Sequence, residues 1–111
     1  QLGAGIHPDV ARWGGTAGCW PVVQRARAAG LRYCPHYLGG GLGLLASAHM
    51  LAAAGGDGML EIDANDNPLR SALSPALSRI DEGWVTLDDT PGIGAPEDVL
   101  GVAGSVAKRV G

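Results

Sequence analysis

Long apolar segments are missing from this sequence of 111 residues. No stretch reaches the ~18 apolar residues that would indicate a membrane-spanning helix, and no signal peptide is recognisable. The longest weakly polar stretch, residues 38–54, is interrupted by glycines and contains Ser47 and His49. The sequence therefore argues against a helical membrane protein, and we expect no membrane partner.

Positive charge and paired cysteines are scarce as well. The chain has 8 Lys and Arg against 11 Asp and Glu, for a formal net charge of −3. A nucleic-acid-binding surface needs a basic patch, so we expect no nucleic-acid partner. The 2 cysteines, Cys19 and Cys34, form no CxxC pair. Two buried, reduced thiols in a cytoplasmic protein are a better interpretation than a disulfide.

The composition that remains is that of one small globular domain. Hydrophobic residues make up 46% of the chain and charged residues 17%, which is too apolar for a disordered protein. The 19 glycines fall mostly at loop positions, as a turn-rich α/β architecture requires.

Three ionisable residues follow short apolar runs at nearly equal intervals. They are Asp9, His36 and Glu61, which lie 27 and 25 residues apart (9 to 36 and 36 to 61). A strand, a helix and their loops fill about that length, since a βαβ unit takes roughly 30 residues or more. We therefore expect the three side chains at the same end of three neighbouring parallel strands, where α/β enzymes hold their chemistry.

The local patterns predict strands at 6–11, 31–34 and 59–62. Between them they predict helices at 17–29 and 44–54, separated from the strands by glycine-rich turns. Thr16 is predicted to cap the first helix, with Pro21 within about its first turn and Gly30 just past its end.

A different pattern begins after residue 62. It predicts a helical turn at 69–73, a hairpin of 78–80 and 84–87 around residues 81–83, and a terminal helix from 96 toward 106. Three βα units do not close a sheet, and a (β/α)8 barrel takes about 250 residues. The chain is therefore interpreted as a fragment: the last three βα units of such a barrel in 1–62, and a C-terminal barrel-closing extension in 63–111. The start at Gln1 rather than Met is consistent with a piece of a longer protein.

Five short motifs resemble one enzyme family. They are PDVARWGG at 8–15, CPH at 34–36, LEID at 60–63, NPL at 67–69 and DTPGIG at 89–94. Their order and spacing resemble the mandelate racemase branch of the mandelate racemase/muconate lactonizing enzyme family, within the enolase superfamily. The similarity runs over nearly the whole chain, from strand 6 of the barrel onward.

The resemblance implies a role for each of the three ionisable residues. His36 would be the general acid or base, paired with Asp9, and Glu61 would hydrogen-bond the substrate carboxylate and stabilise an enediolate. The muconate-lactonizing and dipeptide-epimerase branch carries a lysine where this chain has Asp9. Asp9 therefore favours the racemase and acid-sugar dehydratase side. A histidine suits proton transfer because it ordinarily titrates near neutral pH.

The resemblance also implies Mg²⁺, a small carboxylate substrate such as a sugar acid, and a homo-oligomer for the intact protein. The family's three Mg²⁺ ligands lie on strands 3 to 5, which would precede this chain, so no metal ligand is expected here. The remaining carboxylates fall on the wrong elements to replace them; they include Asp63, Asp66, Asp88 and Asp89.

Further substrate contacts are predicted at His7, Gly39 and Gly40. His7 is two residues from Asp9 and would share its strand face, with simple packing as the alternative. The glycine loop at 39–43 precedes a helix and could hold an anion. It has no P-loop lysine, so a tight turn facing the substrate is the better interpretation.

Three alternatives remain open at this point. The intact enzyme could be a racemase or epimerase instead of a dehydratase. The chain could be a truncated piece without activity of its own, because the metal-binding strands are not in it. It could also be a self-contained, doubly wound α/β binding domain.

Overall fold

The computed structural model describes residues 4–110, and its first half is built from two short parallel strands with a helix after each. Strand β1 is Gly5–Ile6 and β2 is Arg32–Tyr33, paired in parallel with Gly5 opposite Arg32 and Ile6 opposite Tyr33. Helix α1 is Gly15–Ala28 and α2 is Gly41–Ala54. The βα order and the parallel pairing confirm the predicted α/β class.

Both strands are shorter than predicted, and a proline lies two residues past the end of each. Pro8 and Pro35 have no backbone N–H and cannot continue a ladder of hydrogen bonds. Asp9, predicted inside the first strand, instead opens a turn in which its carbonyl accepts from the N–H groups of Arg12 and Trp13 at 3.2 and 3.0 Å. The prediction of a strand over 6–11 is therefore wrong beyond Ile6.

The start of α1 also differs from the prediction. Its N-cap is Gly14, with φ 77°, and no side chain caps the helix, so Thr16 is not the cap. Pro21 lies inside the helix, past its first turn. Gly30, with φ 76°, occupies the left-handed position after the C-terminus that the sequence predicted.

The predicted third strand at 59–62 is wrong as a hydrogen-bonded strand, but the segment runs beside β2. A side chain at Gly58 would collide with the carbonyl of Tyr33, and the Met59 N–H donates to the Cys34 thiol at 3.4 Å. Further along, Glu61 accepts from the N–H of Tyr37 at 3.4 Å. Residues 58, 59 and 61 thus contact residues 33, 34 and 37 in the same order along the chain, so residues 58–61 lie parallel to β2. Because the Met59 N–H bonds to a thiol, it forms no rung of a ladder.

Residues beyond 62 wrap the outer face of α2. Helix α3 is Pro68–Leu73, capped by the Asn67 side chain, which accepts from the Arg70 N–H at 3.0 Å. A 3₁₀ helix, Pro75–Ser78, and helix α4, Val99–Val110, complete the described elements. The predicted hairpin is reduced to one antiparallel bridge, Asp81 to Trp84. Its turn residues Glu82 and Gly83 both have positive φ, as a tight two-residue turn requires.

Two buried clusters hold these elements together. The first joins α1, α2 and β2 through side chains that are 5% exposed or less: Val10, Cys19, Val23, Tyr33 and Met50. The second lies on the other side of α2, under the extension, and consists of Leu44, Leu45, Ala48 and Leu77. Helix α2 is thus buried on two faces. Cys19 and Cys34 are both free thiols, as predicted, but only Cys19 is buried, and Cys34 is partly exposed. No described helix has the length and hydropathy to cross a membrane.

Two glycines of helices α2 and α4 give a matched test of this packing. A methyl group at Gly43 would overlap the ring of Tyr37, whereas one at Gly104 would meet nothing within 4 Å. Gly104→Ala should stabilise the protein by about 0.5–1 kcal/mol, because alanine loses less backbone entropy in a helix. Gly43→Ala should destabilise it by roughly 1–3 kcal/mol through overpacking, despite the same gain in helix propensity.

The measurement is urea-induced unfolding of the full-length protein. Equal shifts of the midpoint in both variants would contradict the packing around Tyr37.

Candidate active site

The parallel register of β1 and β2 places Asp9 and His36 at the same end of the sheet. Ile6 is paired with Tyr33, and each is followed three residues later by one of the two ionisable side chains. The Nδ1 atom of His36 lies 3.3 Å from Oδ2 of Asp9. The structure thus brings together the pair that the sequence predicted.

Asp9 is held on several sides. Its Oδ1 accepts from the N–H of Ala11 at 2.9 Å, and Arg12 Nε lies 3.7 Å from Oδ2. The Asp9 side chain is 13% exposed, whereas that of Arg12 is 80% exposed. An ion pair with so exposed an arginine contributes little, so the backbone donor and the histidine fix the carboxylate.

His36 is the more open member of the pair, with 42% of its side chain exposed. With the ring proton on Nδ1, that N–H donates to Asp9 and Nε2 is left as a free base. This arrangement, in which a largely enclosed carboxylate orients an imidazole, is a common way to prepare a general base.

Glu61 joins the same rim through the backbone. It follows Gly58 by three residues, and Gly58 lies against Tyr33, so the offset matches those of Asp9 and His36. Its Oε2 accepts from the N–H of Tyr37, the residue directly after His36. The side chain is exposed, which leaves its second oxygen open to a ligand.

The other predicted contacts, His7, Gly39 and Gly40, each have separate local surroundings. His7 is exposed, and because β1 ends at Ile6 it shares no strand face with Asp9; that part of the prediction is wrong. Gly39 packs on the Tyr37 hydroxyl, and its carbonyl accepts from the Asn67 side chain at 3.2 Å. Gly40 packs on Leu69. Contact of His7, Gly39 and Gly40 with a substrate stays a prediction.

Sequence reasoning missed Tyr37. Burial, and after it the charge of Asp9, raises the pKa of Tyr37, while backbone hydrogen bonds from Gly43 and Gly40 lower it. The hydroxyl lies against Gly39 and the first turn of α2, where added side chains at Gly39 and Gly43 would meet it. The signal in the sequence was weak: an aromatic residue directly after His36 and two residues before a run of glycines.

The thiol of Cys19 lies beneath the site. It donates to the carbonyl of Trp13 at 3.3 Å and approaches that of Asp9 at 3.8 Å. Burial, and secondarily the negative charge of Asp9, raises the pKa of Cys19. The thiol is therefore kept protonated and acts as a packing group under the turn that carries Asp9.

Within residues 4–110, no three His, Cys, Asp or Glu side chains cluster as a metal ion would need. Asp63 accepts from the backbone and side chain of Asn65, at 2.9 and 2.8 Å, and Asp88 accepts from the Thr90 N–H at 3.0 Å. These two carboxylates are engaged in local turns. That they do not replace the family's metal ligands stays a prediction.

Comparison with known proteins gives one family. The model of the enolase C-terminal domain-like family matches residues 2–98. A crystal structure described as a mandelate racemase/muconate lactonizing enzyme from Bordetella bronchiseptica RB50 is 56% identical, with a TM-score of 0.82 over 89% of this chain. The match covers 28% of that protein's chain.

Two curated relatives are more distant. Arabinonate dehydratase of Saccharolobus solfataricus is 30% identical over 89 residues, and D-galactarolactone cycloisomerase of Agrobacterium fabrum is 29% identical over 97 residues. Each match takes in 80% of this chain but only 24% and 26% of the relatives, so the chain spans about a quarter of their length. The chain therefore belongs to the enolase C-terminal domain-like family, among the mandelate racemase/muconate lactonizing enzymes of the enolase superfamily.

Proposed function

We propose that this chain supplies the proton-transfer side of an active site that removes the α-proton of a hydroxy-carboxylate, in a sugar-acid dehydratase. The observation that carries the proposal is the hydrogen bond between His36 Nδ1 and Asp9 Oδ2, with Glu61 on the same rim. The whole enzyme's activity is part of the proposal, because the chain corresponds to about a quarter of its relatives.

His36 would take the proton at Nε2. Asp9 holds the opposite ring nitrogen, which fixes the tautomer and stabilises the imidazolium that forms. In a dehydration, the same imidazolium would then give its proton to the departing hydroxyl group on the neighbouring carbon. One residue can thus serve both steps if both groups lie on its side of the substrate.

Glu61 would act on the charge that the first step creates. Removal of a proton next to a carboxylate gives an enediolate, whose oxygens carry the new negative charge. A protonated Glu61 can donate to one of these oxygens, since its other carboxyl oxygen is held by the Tyr37 N–H. A donor aimed at developing charge accelerates the step more than one that binds substrate and intermediate equally.

The Mg²⁺ that the family implies does not fit residues 4–110, which offer no cluster of three ligating side chains. We propose that its ligands lie on segments outside this chain, as expected from the positions of the barrel strands. The roles of His36, Asp9 and Glu61 are therefore derived from their own contacts alone.

A sugar acid is the proposed substrate because one relative is named as arabinonate dehydratase. The second relative is named as a lactone cycloisomerase, which supports an isomerase of the same branch as the alternative. His7, Gly39 and Gly40 would then line the part of the site that receives the substrate. The two reactions differ in their product: dehydration gives a keto-deoxy acid, whereas racemisation or epimerisation returns a hydroxy acid.

His36→Asn is the first test, made in the full-length polypeptide that carries this sequence. Asparagine has no basic nitrogen and cannot accept a proton near neutral pH, so turnover of the sugar acid should fall by about 10²–10⁴-fold, the usual contribution of a general base. The measurement is α-proton exchange in D₂O with Mg²⁺ and a panel of sugar acids, followed by NMR.

His49→Gln is the matched control. His49 lies on α2 and contacts the carbonyl of Ile93 at 3.1 Å, away from the rim. The His49→Gln variant should catalyse α-proton exchange of the sugar acid as fast as the unmodified protein does. Preserved exchange in His36→Asn would refute the assignment of the base.

Glu61 can be tested by comparing two substitutions. Glu61→Ala removes the donor and should slow turnover by about 10²–10³-fold, as expected for loss of a donor to a developing oxyanion. Glu61→Gln keeps an N–H donor of similar length and should retain at least about tenfold more activity than Glu61→Ala.

The steady-state rate of keto-acid formation is the measurement for both variants. Equal activity of the two variants would argue against a hydrogen-bond donor at this position.

A further inference from the structure

The two residues that would move or donate protons are weakly packed by their own side chains. His36 is 42% exposed and Glu61 is exposed. Side chains in water sample several rotamers, and a displacement of about 1 Å at a reacting group can cost 10²-fold in rate. The positions of both residues therefore depend on the backbone that carries them.

Tyr37 joins these two residues through its backbone. It directly follows His36, and its N–H donates to Oε2 of Glu61 at 3.4 Å. Movement of the Tyr37 peptide would displace the imidazole and release the carboxyl group together.

The ring of Tyr37 is held by glycines. A side chain at Gly43 would overlap the ring, and one at Gly39 would come within 2.8 Å of the hydroxyl. The ring also packs against the buried cluster under the extension. The packing of Tyr37 therefore explains why glycine is needed at positions 39 and 43, without any bound anion.

The Tyr37 hydroxyl connects the loop to α2. The N-cap of α2 is Gly40, which has no side chain to accept from the first turn. A side chain at Gly43, in the first turn of the helix, would overlap the phenol oxygen as well as the ring. The phenol oxygen therefore lies beside the first turn of α2, whose N–H groups have no acceptor within the helix.

We propose that Tyr37 is a positioning residue, which ties the segment carrying His36 to the start of α2 and thereby holds His36 on Asp9 and Glu61 at the rim. The inference rests on the proposed function for its effect on turnover, but the geometry it describes is independent of the reaction. Tyr37 itself touches Glu61 and the glycine loop and is not assigned a proton-transfer step.

Tyr37→Phe in the full-length protein tests the role of the hydroxyl, since the ring and the backbone N–H are kept. The kcat for the sugar acid should fall by about tenfold, the size of effect expected when one polar contact is lost, with KM changed by less than about twofold. In ¹⁵N-histidine-labelled protein, the Nδ1–H signal of His36 should broaden, because the proton exchanges with water once the ring leaves Asp9. His36→Asn identifies that signal.

Tyr33→Phe is the matched control. Tyr33 is 1% exposed, and burial, and secondarily Cys19, raises its pKa to about 12. Its hydroxyl has no hydrogen-bond partner among the described residues, so its removal should leave kcat and the His36 signal unchanged. Gly39→Ala is a second variant in case Tyr37→Phe does not fold. It keeps the hydroxyl but displaces it, and it should broaden the same signal.

The outcomes separate this inference from the proposed function. A sharp His36 signal and unchanged kcat in Tyr37→Phe would overturn the positioning role. A lower unfolding midpoint with the signal intact would overturn it as well, since that is packing alone. If no sugar acid exchanges its α-proton but the signal broadens in Tyr37→Phe and not in Tyr33→Phe, the positioning role stands and the proposed function fails.

Discussion

The parallel register between Ile6 and Tyr33 is the constraint on which the site depends. Two short strands make few hydrogen bonds with each other, so this register is held mainly by the buried cluster of α1, α2 and β2. Because the chain leaves each strand at a proline, it turns at the same level on both. The carboxylate and the imidazole can then meet although they are 27 residues apart in sequence.

The three residues of the site differ in how far they are buried. Asp9 is nearly enclosed, with a backbone donor on one oxygen and the histidine on the other, whereas His36 and Glu61 face outward. Such a division fits the proposed acid–base function, in which the orienting group stays in place and the other two side chains reach a ligand. Tyr37 and the glycine loop then supply the rigidity that exposed side chains lack.

Much of this could be predicted from the sequence. The even spacing of Asp9, His36 and Glu61 gave the right rim, and the motifs gave the right family. The strand lengths could not be predicted as well, because the first strand was continued past Pro8 to residue 11, whereas its ladder ends at Ile6. The predicted cap of α1 was wrong because a glycine with positive φ, not a side chain, begins that helix.

The contact between Tyr37 and Gly43 could not be predicted from the sequence. It depends on the three-dimensional fit of the ring into the space that a side chain at Gly43 would fill. The division of the chain at residue 62, the oligomeric state and the cytoplasmic location stay predictions.

The equal offset of the three rim residues has a consequence for how such a chain can evolve. Asp9, His36 and Glu61 each lie three residues past a position aligned on Tyr33 or its partner. Inserting or deleting one residue in any of these short connections would turn its side chain away from the other two. Changes to the shape of this rim must therefore arise by replacement of side chains at constant loop length. Changes in length are tolerated more easily in residues 88–98 of the C-terminal extension, most of which are exposed.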